Sequence, residues 1–201
     1  ELAESAGILW EQQEYVPAAD APLAGPRPGM TVARSYSAAQ VKAFADGDAY
    51  TAFGEGARRA ASHTRTPKIP HGNMQLFTEV VEMDLQGGPW GRGYLKAVLP
   101  ITPDLWFFDG HFHNDPCMPG TLMFDGSLQT MAFYLAALGY TVDKDGWIFE
   151  PVEDRPYKLR CRGQCTPENK ELVYEVFVAE IIDGDTPTIV ADLLCTVDGL
   201  A

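Results

Sequence analysis

Residues 106–120 read WFFDGHFHNDPCMPG, and residues 121–139 continue TLMFDGSLQTMAFYLAALG. The second half predicts one long helix, from about Thr121 to Leu138. Leu122, Met123, Phe124, Leu128, Met131, Phe133, Leu135 and Leu138 make it apolar nearly all round. Such a helix has to be buried on most sides, so a sheet is expected to wrap it. One acid, Asp125, interrupts the apolar run. The first half sets two of the chain's four histidines, His111 and His113, in a loop that turns at Asn-Asp-Pro and leaves through Met-Pro-Gly.

The flanking sequence supplies the sheet. MQLFTEVVEMD (74–84), the turn QGGPWG and RGYLKAVLPI (92–101) read as a hairpin. Beyond the helix, strands are expected around RPYKLRCRGQ (155–164), KELVYEVFVAEII (170–182) and TIVADLLCTV (188–197). In the last of these, Ile189, Ala191, Leu193, Cys195 and Val197 alternate as one apolar face. Two strands, one long helix and three strands make an α+β layer architecture with an antiparallel sheet.

The chain divides at about Ile69. Residues 1–68 form a Pro-rich linker or strap with a short helix, and 69–201 form the compact domain. Pro17, Pro22, Pro26 and Pro28 suit an extended strap laid over a neighbour. SYSAAQVKAFADGD (35–48) predicts the short helix, with Ser37 as N-cap and Gly47 as stop. GEGARRAASHTRTPKIPHGN (54–73) reads as loop. The opening on Glu1 rather than Met suggests a piece of something larger.

Bulk properties exclude several classes. At 201 residues, 46% hydrophobic and 21% charged, the chain has the composition of one globular domain with extensions. A net charge of −13 argues against nucleic-acid binding, which needs a basic surface. No apolar run is long enough to span a bilayer, so no membrane partner is expected and a cytoplasmic location is. Cys117, Cys161, Cys165 and Cys195 lack framework spacing and read as reduced thiols. Arg155, Lys158, Arg160 and Arg162 form a local cationic run, which fits either an anionic partner or a solvated edge strand.

Asp125 is costly to bury in an apolar helix unless it is paired or protonated. Gln129, one helical turn on, lies on the same face and can orient it. Taken alone, Asp125 equally fits a partner for the helix N-terminal dipole, and His111 a packed loop residue. The combination points further. Elimination of water from a 3-hydroxyacyl thioester needs an imidazole to take the C2 proton and a carboxyl to protonate the departing hydroxyl. It also needs a backbone N–H at a helix start for the enolate oxygen. Glycine at position 120 lets a thioester carbonyl approach the backbone closely. A metal site from His111, His113 and Cys117 is the weaker reading, because the loop supplies only three ligands.

Residues 99–139, LPITPDLWFFDGHFHNDPCMPGTLMFDGSLQTMAFYLAALG, resemble the active-site segment of the 3-hydroxydecanoyl carrier-protein dehydratases of bacterial fatty acid synthesis. They also resemble the related dehydratase domains of polyunsaturated fatty acid and polyketide synthases. The shared pattern is His-Phe, Asp-Pro, Met-Pro-Gly, then Leu, Asp and Gln. A weaker likeness in strand order runs from 75 to 198.

The resemblance implies a hotdog fold and dehydration of (3R)-3-hydroxyacyl-[acyl carrier protein] to the trans-2-enoyl product, without cofactor or metal. It implies His111 as base, Asp125 as acid, the Gly120 amide as oxyanion donor and Gln129 as support for the acid. It further implies that one site draws its His and Asp from two hotdog units, in a homodimer or a tandem. Asp109-Gly110 and Thr121 depart from the closest enzymes and weaken any expectation of trans-2 to cis-3 isomerisation. The carrier protein is usually acidic, so docking is expected at Lys158, Arg160 and Arg162. The rival readings are a hotdog thioesterase and a silent hotdog kept for dimerisation or docking.

Overall fold

The computed structural model describes residues 16–18, 21–153, 157–160 and 163–201. The helices are α1 (Ala38–Asp46), α2 (Ala49–Phe53) and the long α3 (Gly120–Ala137). The strands are β1 (Glu79–Asp84), β2 (Tyr94–Pro100), β3 (Glu171–Ile182) and β4 (Thr188–Val197). Short 3-10 turns occur at Glu55–Ser62, Gly72–Met74 and Trp106–Phe108. The strands lie in the order β1-β2-β3-β4, antiparallel throughout, with Met83 opposite Leu95, Leu95 opposite Val176 and Val176 opposite Leu193. Helix α3 packs against β2, β3 and β4 of this sheet, which is the hotdog arrangement expected from the resemblance. No helix among the described residues is long and apolar enough to cross a membrane.

The predicted hairpin, central helix and last two strands form where the sequence put them. At α1, Gln40 reaches back to accept from the Ser37 amide (3.1 Å), and Gly47 ends the helix at φ 95°. Three readings change. Residues 54–73 contain two 3-10 turns, one of them Glu55–Ser62, where loop was expected. Helix α2 was not foreseen, although the Asp48 side chain caps it by accepting from the Thr51 amide (2.9 Å). The strand expected around RPYKLRCRGQ is absent from its described residues, 157–160 and 163–164. Tyr157 and Leu159 are exposed there, and Tyr157 leaves the sheet to stack on Phe124 (5.1 Å between centroids).

The core is organised around Phe133, which is fully buried on α3. Tyr36, Phe44, Phe53 and Phe77 pack edge-on around its ring at 5.1–5.8 Å. Residues ahead of the hairpin thus close one flank of the central helix. Tyr36 also exchanges two backbone hydrogen bonds with Val80 and covers the outer edge of β1. The strap is tied down by Arg27, whose amide donates to the Leu138 carbonyl (2.8 Å) at the end of α3. Its guanidinium pairs with both oxygens of Asp183 and lies 4.5 Å over the Tyr140 ring. Arg92 donates to the carbonyls of Ala18, Ala21 and Pro22.

Helix and sheet meet closely at Gly126, whose missing Cβ leaves room for the ring and hydroxyl of Tyr174 on β3. That hydroxyl is buried and has no hydrogen-bond partner among the described residues. We expect Gly126→Ala to destabilise the domain by about 1–3 kcal/mol in denaturant unfolding, although alanine is the better helix former. Tyr174→Phe removes an unsatisfied buried group, so it should be neutral or about 1 kcal/mol more stable, and should recover part of the Gly126→Ala loss.

Candidate active site

The loop between β2 and α3 is anchored at both ends. Phe107 and Phe108 are buried at its start, and at its exit the Met118 amide donates to the Cys165 carbonyl (2.8 Å). Between them Phe112 and Asp115 exchange backbone hydrogen bonds (3.2 Å each) across the turn the sequence predicted. This brings His111 back against Cys117, whose amide donates to the His111 carbonyl (2.7 Å). His111 Nδ1 lies 3.0 Å from the Cys117 carbonyl oxygen. A carbonyl can only accept, so Nδ1 carries the hydrogen and Nε2 is left with a free lone pair. The Cys117 thiol sits 3.5 Å from the same nitrogen, and Phe112, itself exposed, stacks on the imidazole at 4.1 Å.

The Met-Pro-Gly exit becomes the start of α3. Leu122 and Met123 donate to the Pro119 carbonyl, so the amides of Gly120 and Thr121 have no acceptor within the helix. One turn on, Asp125 is half-buried and its Oδ2 accepts from Gln129 Nε2 (2.7 Å). Gln129 is only 4% exposed, and its amide orientation is dictated by its neighbours. Its Oε1 accepts from the Leu76 amide (3.0 Å), which turns Nε2 towards Asp125 and the Met74 carbonyl (2.9 Å). The i, i+4 pairing was legible in the sequence. The contacts to residues 74–76 were not, because backbone acceptors leave no mark in side-chain pattern.

Gly120, Asp125 and Gln129 open onto a groove of about 1980 Å³. One wall is the half-buried α3 stripe Phe124, Leu128 and Met131, and the other is the β4 face with Leu193 and Cys195. Phe133 does not line this groove and belongs to the aromatic core. Asp192 also lines the groove, and burial holds its carboxyl above the usual aspartate range. Burial likewise raises the Tyr174 hydroxyl, with the Asp125 charge adding to the effect. Among the described residues Cys117, Cys165 and Cys195 form no disulfide, and burial pushes the Cys165 thiol up to about 11. Cys161 lies outside the described residues.

His111 is not among the residues lining this groove, and no hydrogen bond joins it to Asp125 within the chain. Within the described residues these are two separate clusters: a loop with an oriented imidazole, and a helix with an oriented carboxyl and two N-terminal amides without an acceptor in the helix. His113 is exposed on the loop. Of the predicted docking residues, Lys158 and Arg160 are exposed and line the groove, while Arg155 and Arg162 lie outside the described residues. The family model described as FabA-like domain matches residues 69–201, which takes in the sheet, the loop and the central helix. The chain thus belongs to the FabA-like family of hotdog dehydratases and isomerases.

Proposed function

We propose that the chain dehydrates (3R)-3-hydroxyacyl-[acyl carrier protein] to the trans-2-enoyl thioester and water, as a unit of fatty acid or polyketide synthesis. The observation that carries this reading is the orientation of His111. Its Nδ1 hydrogen is held by the Cys117 carbonyl, so Nε2 is the atom available to take a proton. Nε2 removes a C2 proton and the electron pair moves toward the thioester carbonyl. The Gly120 amide stabilises the developing enolate oxygen. Collapse of the enolate expels the C3 hydroxyl as Asp125 donates its proton, which releases water. The proton on His111 then returns through solvent or product exchange to the carboxylate, and the pair is reset.

Asp125 in this mechanism faces the His111 of a second hotdog unit. Two features support that arrangement: the two residues do not meet within the chain, and the groove is larger than the roughly 300–1,000 Å³ of a small-molecule pocket. A second copy or a tandem neighbour closing over the α3 stripe would shrink the groove to an acyl tunnel and complete the site. Residues ahead of 69 lie outside the family match, which supports a dehydratase domain of a polyunsaturated fatty acid or polyketide synthase. Lys158 and Arg160, on the groove, together with Arg162, are our docking surface for the acidic carrier.

His111→Ala and Asp125→Asn should each lower dehydration at least about 100-fold, the usual scale of a lost general acid or base, with fold and assembly retained. The assay is the absorbance of the conjugated enoyl thioester formed from 3-hydroxyacyl substrates. A wild type that is inactive at every chain length, on carrier-bound substrate as well, would replace this reading with a silent docking hotdog. Changing Lys158 and Arg160 together to Glu should raise KM about ten-fold or more for carrier-bound substrate while sparing a small thioester analogue. Equal KM values for variant and wild type on carrier-bound substrate would move the docking surface elsewhere.

A further inference from the structure

The Gly72–Met74 turn contains no buried residue, so its own packing does not hold it. Two side chains from other parts of the chain do. Gln129 Nε2 donates to the Met74 carbonyl (2.9 Å), and Trp106 Nε1 donates to the Asn73 carbonyl (2.8 Å). Just past the turn, the Leu76 amide donates to Gln129 Oε1 (3.0 Å). An amide group has two N–H bonds, and Gln129 spends one on Met74 and the other on Asp125 Oδ2 (2.7 Å). If the Met74 carbonyl moves away, the amide is free to turn and its grip on Asp125 loosens.

From these bonds we infer that Trp106 is a positioning residue for the acid Asp125, acting through the Asn73–Met74 backbone and Gln129. The inference rests on the dehydratase reading above and on its two-unit site. Chain position alone points the other way, because Trp106 lies five residues before His111 and would be taken as a support for the base. The geometry separates the two. The indole N–H is spent on Asn73, whereas His111 is held by Cys117.

On the two-unit arrangement His111 and Asp125 of one chain serve different sites. The segment that carries the base of one site therefore also steadies the acid of the other, and the two sites of a pair are mechanically linked within each chain. Trp106 is not among the residues lining the groove, so its signature is in kcat rather than KM.

Amide hydrogen exchange tests the link without relying on turnover. Trp106 is 39% exposed, so Trp106→Phe keeps the ring and removes the N–H without opening the core. Exchange at the Leu76 amide should be about five-fold faster in Trp106→Phe, the scale of one lost hydrogen bond. In a Gln129→Ala background, where the acceptor is already gone, Trp106→Phe should add nothing. An unchanged Leu76 rate in the single variant, or fully additive effects in the double, overturns the inference.

Mixed pairs of His111→Ala and Asp125→Asn chains carry the test into catalysis, since one intact site remains. Its Asp125 comes from the His111→Ala chain and its His111 from the other. Trp106→Phe placed in the His111→Ala chain should lower kcat about five-fold with KM unchanged, and should cost less in the Asp125→Asn chain. The reverse asymmetry assigns Trp106 to the base and overturns the inference. If the wild type turns over no 3-hydroxyacyl thioester, the dehydratase reading falls, and Leu76 exchange still decides whether Trp106 holds Gln129.

Discussion

A helix of 18 residues that is apolar on nearly every face has to be covered on every face, and the rest of this structure is a set of answers to that demand. The sheet covers one side, through the close approach of Tyr174 to Gly126. The strap closes the C-terminal end, and α1 and α2 close a flank with aromatic rings packed on Phe133. Phe124, Leu128 and Met131 are only half-buried, and they face the groove. Among the described residues, the side left open is the side on which Asp125 emerges. Incomplete burial and the candidate chemistry therefore share an address, which is why the function points to a second unit.

Polar groups enter this helix only where a partner is already in place. Thr130 donates to the Ser127 carbonyl (2.7 Å), and Ser127 donates to the Met123 carbonyl (3.2 Å), so both satisfy themselves along the helix. Gln129 is different, because its amide is satisfied from outside, by residues 74–76. A residue fixed this way has its rotamer and amide orientation set by backbone rather than by flexible side chains. It then hands the carboxylate one defined N–H. The orientation of the Asp125 carboxyl is thus inherited from a turn before β1, far from it in sequence.

The parts of this fold that were legible in the sequence are those whose stabilisation is local or periodic. The Ser37 and Gly47 boundaries of α1 depend on capping chemistry within a few residues. The alternation along β4 and the apolar surface of α3 are patterns of burial that any covering layer would produce. The His111 loop was readable because its turn and its proline-ended exit are written in Asn-Asp-Pro and Met-Pro-Gly, and the likeness to a known segment supplied the roles. What escaped depends on distant partners. Gln129 was paired with Asp125 from helical spacing, but nothing in HGNM marks it as the place where Gln129 and Trp106 converge. The strand expected at 155–164, and not formed in its described residues, has apolar residues and alternation, yet strand formation also needs an edge to pair with. Tyr157 finds Phe124 instead.

Two hydrogen-bonding decisions then divide the chemistry. At His111 a carbonyl that cannot donate forces the hydrogen onto Nδ1, so the base is defined without any neighbouring carboxylate. At Asp125 an amide that cannot accept through its nitrogen occupies Oδ2, on a residue that lines the groove. Each group is prepared by neutral backbone or amide partners, so neither needs the other in order to be oriented. On the proposed mechanism, that independence lets base and acid be carried by different units and still meet in register. If they had oriented each other directly, as in a His-carboxylate pair, assembly would have been required to build the groups as well as to join them. On the proposed reading, assembly has only to bring two already oriented groups to the same substrate.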